Sequence, residues 1–94
     1  MMTRPDPQIW DAILAHLRAN HPGMCRHWFD DIEALELSSG TFKLLVREVV
    51  QLKYLQRCCV RQFSEAAQIV WLSAYIAGLT NGEGEIELPE FVLS

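Results

Sequence analysis

Apolar residues near the start of the chain recur every three or four positions, which is the spacing of one face of an α-helix. They are Ile9, Trp10, Ile13, Leu14 and Leu17. Asp6 suits the capping position, and Pro7 suits the first helical position, where its missing N–H does no harm. Pro22 and Gly23 then predict the end of this first helix.

A second, shorter helix is predicted after that turn, between residues 22 and 29. Met24 and Trp28 lie four positions apart in it and therefore share one side. Asp30 and Asp31 break the pattern, and a loop or capping role suits them better than a role as a catalytic acid–base pair. We expect the first two helices to pack against each other.

From Ile32 onward the period of apolar residues changes to two, which is typical of β-strands. A first run ends at Leu37, a turn with the composition Ser-Ser-Gly occupies residues 38–40, and a second run covers residues 41–46. Two such runs joined by a tight turn predict an antiparallel β-hairpin.

A long third helix is predicted from residue 49 to about residue 67. Its apolar positions at helical spacing are Val49, Leu52, Leu55, Cys59 and Phe63. Residues 69–77 are rich in β-branched and aromatic side chains, which favours a buried strand. Residues 78–84 predict a turn or linker, and residues 85–88 alternate like an edge strand until Pro89 interrupts them. The predicted architecture is α+β.

Composition and charge narrow the possible functions. The 94 residues are 50% hydrophobic, which is enough for the core of one domain. All eight Lys and Arg lie in residues 1–67 beside eight acids, whereas residues 68–94 hold only four acids. No apolar run approaches the length of a membrane span, and no apolar region follows Arg4 as in a secretory leader, so we expect a cytoplasmic protein without membrane attachment.

Residues 1–67 have no net charge, and they therefore lack the broad basic surface that strong nucleic-acid binding requires. Lys53, Arg57 and Arg61 recur every four positions. This stripe is first of all a solvated helix face, and it offers at most a weak contact to single-stranded nucleic acid.

The reactive side chains form no catalytic or metal-binding pattern. Cys25, Cys58 and Cys59 are an odd set with two neighbours, which indicates reduced thiols rather than a disulfide framework. The spacing of the three histidines matches no common zinc site, so we expect no metal and no cofactor. The phosphate-binding pattern G-x-x-x-x-G-K-[ST] is absent, and we expect no enzymatic activity in this chain.

The order of predicted elements, α-α-β-β-α-β, resembles the N-terminal domain of the bacterial replication initiator DnaA over residues 8 to about 76. Trp10 stands twelve positions before Pro22 and Trp28 six positions after it, and the resemblance allows for a segment one residue shorter between Pro22 and Trp28 than in the family. The other matching segments are residues 9–14, 27–29, 40–46 and 52–55. The resemblance implies a small KH-like domain in residues 1–77, with three helices packed on a three-stranded sheet. Residues 78–94 would then be an acidic linker or an additional edge strand.

The resemblance also implies a function. Domains of this family self-associate weakly and recruit the replicative helicase and regulatory proteins to the origin. Trp10 matches the tryptophan used for self-association, which implies partial exposure, although its periodicity alone predicts a core residue. The helicase contact falls on Met24 or Cys25, next to Trp28, and on Val50, where the acidic and aromatic residues of the family are not kept.

Two alternatives to that function remain. The chain is a KH-like module that binds single-stranded nucleic acid weakly through Lys53, Arg57 and Arg61, or it is a stand-alone regulator. The G-x-x-G loop with which KH modules clamp RNA is absent from the sequence, which disfavours RNA binding.

Overall fold

A computed structural model describes residues 7–38, 41–76 and 88–94. The elements in chain order are helix α1 (Pro7–Asn20), a 3₁₀ helix (His27–Asp31), strands β1 (Glu33–Ser38) and β2 (Thr41–Val46), helices α2 (Val49–Cys58) and α3 (Val60–Ile76), and strand β3 (Glu90–Leu93). The fold is α+β, with three α-helices and a three-stranded mixed sheet within the described ranges. The proposed cap Asp6 lies outside those ranges, as do the linker residues 78–84.

The predicted hairpin is confirmed. Strands β1 and β2 pair antiparallel from Glu33 opposite Leu45 to Ser38 opposite Thr41, with one register irregularity near residue 35. Period-two alternation decides which face of β2 is covered, because side chains on one strand point alternately to opposite faces. Phe42, Leu44 and Val46 are accordingly almost fully buried.

Strand β3 lies beside β2 and runs parallel to it, so β2 is the central strand. Phe91 stands opposite Leu44, and the Ser94 N–H donates to the Val46 carbonyl at 2.9 Å. Parallel strands cannot be joined by a tight turn, and the connection from β2 to β3 includes α2 and α3. The alternating segment predicted as an edge strand at residues 85–88 falls almost entirely outside the described residues.

Helices and sheet meet in one apolar core, and Phe63 of α3 is its aromatic centre. Its ring centroid lies 5.6 Å from those of Phe29 and Phe91 and 6.3 Å from that of Trp10. Three other elements of the chain therefore converge on this one buried side chain of α3. Each such aromatic pair stabilises the fold by about 1 kcal/mol beyond the burial of its area.

The prediction of a strand at residues 69–77 is wrong. Helix α3 continues to Ile76, and it buries Phe63, Ala67 and Trp71 at four-residue intervals. The helical spacing of buried apolar residues therefore continues through this segment. It outweighs the β-propensity of the β-branched residues, because that propensity depends on context. The observed order is α-β-β-α-α-β, and the last strand comes after Pro89.

The prediction of one third helix from residue 49 to 67 is also wrong, because the chain bends at Cys59. There the backbone has φ −121° and ψ −10°, outside the helical values. The Cys59 N–H still bonds to the Leu55 carbonyl at 3.1 Å, and the Phe63 N–H bonds to the Cys59 carbonyl at 2.9 Å. The hydrogen-bond ladder thus passes through the bend, and α2 and α3 are separate helices.

The predicted second α-helix at residues 22–29 is replaced by a turn and a 3₁₀ helix. The turn is closed by hydrogen bonds from the His21 N–H to the Leu17 carbonyl and from the Met24 N–H to the His21 carbonyl. The 3₁₀ helix then brings Phe29 into the core, where it is fully buried. Pro22 and Gly23 disfavour a regular helix, which explains why so short a segment does not form one.

Candidate functional site

The turn after α1 is attached to helix α2 by a tyrosine. The Tyr54 hydroxyl donates a hydrogen bond to the Met24 carbonyl oxygen at 2.5 Å, across thirty positions of sequence. Met24 and Cys25 are both half-buried against the core. The turn thus has a defined position against α2, although it contains no regular secondary structure of its own.

Aromatic contacts extend this junction. The ring of Trp28 lies edge-on to the ring of Tyr54 with 5.8 Å between centroids, and to the ring of Phe29 with 4.9 Å. The Arg26 guanidinium lies 5.0 Å above the Tyr54 ring, within the range of a cation–π contact. Trp28 is half-buried, so part of this residue remains at the surface.

Val50 lies one helical turn before Tyr54 on α2 and is 69% exposed. Met24, Cys25, Trp28, Val50 and Tyr54 are called here the turn–helix surface. Four of these five residues are the partner-binding residues predicted from the sequence, and the fold brings the two segments that carry them together. Tyr54 was missed, although its position four residues after Val50 was visible in the sequence.

The thiols near this surface are not activated. Burial raises the pKa of Cys59 to about 12, and burial also raises the pKa of Cys25. Burial raises the pKa of the Tyr54 hydroxyl as well. Because the reactive form of a cysteine is the thiolate, Cys25 and Cys59 are poor nucleophiles at neutral pH. Among the described residues, no group of His, Cys, Asp and Glu is arranged to hold a metal ion.

Trp10 is not on this surface. It is 9% exposed, and its ring lies 6.4 Å from that of Phe42 and 6.3 Å from that of Phe63. The partial exposure implied by the resemblance is therefore wrong, and the core position indicated by periodicity agrees with the structure. Self-association through Trp10 stays a prediction, which now has to account for this burial.

The three basic residues of the predicted stripe are all exposed, and they are divided between two helices. Lys53 and Arg57 lie on α2, and Arg61 lies in the first turn of α3. Arg57 and Arg61 line one open groove of about 660 Å³, which is called here the α2–α3 groove. Its other lining residues are Cys58, Val60, Gln62, Ser64, Glu65, Gln68 and Leu88.

A second exposed apolar face lies on the last part of α3. Ile69, Leu72 and Ile76 are spaced by three and four positions and are 44%, 58% and 76% exposed. This face lies away from the core, because the core is contacted by the side of α3 that carries Ala67 and Trp71. Within the described ranges, no helix combines the length and the apolarity needed to cross a membrane.

Comparisons with known proteins add no relative. No protein-family model, no curated protein and no solved structure matches the chain.

Proposed function

We propose that this chain is a protein-interaction domain of a bacterial, cytoplasmic replication initiator. In this proposal it self-associates weakly and recruits the replicative helicase and regulatory proteins at the origin, as the resemblance to the N-terminal domain of DnaA implies. The observation that carries the proposal is the turn–helix surface. It connects the turn of Met24 to α2 through Tyr54, which lies one helical turn after Val50. The resemblance assigns the helicase contact to these two segments.

The composition of this surface supports a binding role. Trp, Tyr and Arg are the residues most enriched among those that dominate binding energy at protein interfaces. Here Trp28 and Arg26 both contact Tyr54, and Val50, one helical turn before Tyr54, adds an exposed apolar side chain.

The turn–helix surface is better suited to binding than to catalysis. The Tyr54 hydroxyl is engaged with a backbone carbonyl, and the Cys25 thiol has a raised pKa. Neither group has the activated state that nucleophilic catalysis requires. The proposal therefore assigns no enzymatic activity to this domain.

Val50→Asp tests the proposal in a titration against the replicative helicase, for instance by biolayer interferometry. Val50 is 69% exposed, so the variant should fold normally. Burying an unpaired carboxylate in place of an apolar side chain should weaken binding by about 2 kcal/mol, or about thirtyfold.

Gln56→Asp is the matched control, because Gln56 is exposed on α2 and lies about 120° around the helix from Val50. Its helicase affinity should stay within about threefold of the unmodified chain, which is the change expected for a surface site away from the contact. Absence of binding by the folded, unmodified chain at high micromolar concentration would reject the proposal. Equal losses for both variants would move the contact away from the turn–helix surface.

A further inference from the structure

The outer face of α2 continues from the turn–helix surface and is basic. Val50, Lys53 and Arg57 follow one another at intervals of three and four positions, so they share one solvent face. Helix α2 contains no acidic residue. An exposed apolar side chain on this face is therefore followed by two cations along the helix.

The α2–α3 groove extends this face past the bend at Cys59. Arg57 and Arg61 line it from the two helices, and Leu88, which is 65% exposed, lines it as well. Glu65 is the one acidic residue among the described lining residues. The groove therefore combines two cations with an apolar contact.

These cations form no ion pair with carboxylates in the described part of the chain, although Glu65 lies one helical turn after Arg61. Arg18 is paired with Asp30, and this is the one ion pair between described side chains. Lys53, Arg57 and Arg61 take no part in it. A partner that supplies carboxylates would meet cations that make no competing ion pair there.

We propose that this basic face, consisting of Val50, Lys53, Arg57, Arg61 and Leu88, binds an acidic amphipathic segment of a protein partner. Carboxylates of that segment pair with the three cations, and an apolar side chain packs on Val50 or Leu88. Charge complementarity is the argument for this occupant. The inference rests on the proposed function in that it takes the domain to be a protein-interaction module.

Single-stranded nucleic acid fits the face less well. Such binding combines a basic groove with aromatic rings on which bases stack. Among the described residues, the α2–α3 groove has no aromatic lining. The nearest ring on α2, that of Tyr54, already carries the Arg26 guanidinium at 5.0 Å.

The test is a selection of peptides that bind the chain, without a ligand chosen in advance. A phage-displayed library of random 16-residue peptides is selected on the full chain, and the enriched peptides are synthesised. We expect them to combine Asp or Glu with Leu, Ile or Phe. Their affinity should fall about tenfold or more with Arg61→Glu, because charge reversal replaces an attraction by a repulsion. Arg47→Glu is the control, since Arg47 is exposed, lies outside the groove and changes the net charge equally.

Three results would overturn the inference. They are a selection that enriches no peptide or peptides without excess acid, equal losses for Arg61→Glu and Arg47→Glu, and Arg61-dependent binding of the oligonucleotide (dT)20 that is tighter than that of every peptide. The result of the helicase titration is independent of this peptide selection. Acidic peptides that depend on Arg61, in the absence of helicase binding, would support this inference and reject the helicase as the partner.

Discussion

Replacing Trp10 with Ala distinguishes a core residue from an association residue. The side chain is 9% exposed and contacts the rings of Phe42 and Phe63, so truncation leaves a cavity between α1, β2 and α3. Truncation of a buried aromatic residue costs about 3–5 kcal/mol. A domain of this size has about 5–14 kcal/mol of stability, and each kcal/mol lowers Tm by about 4–8 °C. We therefore expect Tm to fall by at least about 12 °C.

The measurement is urea-induced and thermal unfolding followed by far-ultraviolet circular dichroism, in which the signal of the helical backbone dominates that of a single indole. Asp11→Ala, at the neighbouring exposed position of α1, should change the free energy of unfolding by less than about 0.5 kcal/mol. Sedimentation of both variants then reports self-association. An unchanged unfolding midpoint for Trp10→Ala, together with lost self-association, would refute the burial argument and support an association role for Trp10.

Two further predictions concern the junction with α2. Tyr54→Phe removes the hydrogen bond to the Met24 carbonyl and should lower the free energy of unfolding by about 1 kcal/mol, and an unchanged urea midpoint would contradict this. Burial raises the pKa of the Cys59 thiol from the ordinary 9.0 to about 12, so the folded state retains its proton more strongly than the unfolded state. The stability linked to this proton is complete below pH 9 and is lost as the pH rises toward 12. Urea unfolding between pH 8 and 11 should show a smaller decline for Cys59→Ala than for the unmodified chain, and parallel declines would contradict the prediction.

Elements whose apolar period is local were predictable from the sequence. The face of α1 and the hairpin of β1 and β2 each depend on a repeat within six to fourteen residues, and both are present. Residues 69–76 show how composition can mislead. Their β-branched residues suggested a strand, whereas the spacing of Phe63, Ala67 and Trp71 continued the helical face. The spacing of apolar residues is the stronger criterion here, because it determines which side chains lie on the face that the core covers.

The bend at Cys59 was not predictable in the same way. Neither Gly nor Pro stands near it, and the buried residues Leu55, Cys59 and Phe63 keep helical spacing on both sides. The bend instead accompanies tertiary packing, because α3 contacts α1 and α2 contacts β3. One straight helix was therefore a reasonable expectation from the apolar pattern, and only the arrangement of the other elements distinguishes two helices from one.

The candidate site, too, was predictable only in part. Met24, Cys25, Trp28 and Val50 were predicted from the resemblance, but their union into one surface depends on Tyr54, which contacts the turn across thirty positions of sequence. Met24, Cys25, Trp28 and Tyr54 pack against the core, whereas Val50 is 69% exposed and is not among the residues packed against it. Val50 can therefore be changed without removing core packing, whereas a change at Tyr54 acts on the position of the turn. A loss of binding with Val50→Asp at unchanged stability thus reports the contact itself, and a parallel loss with Tyr54→Phe reports how much that contact depends on the turn being attached to α2.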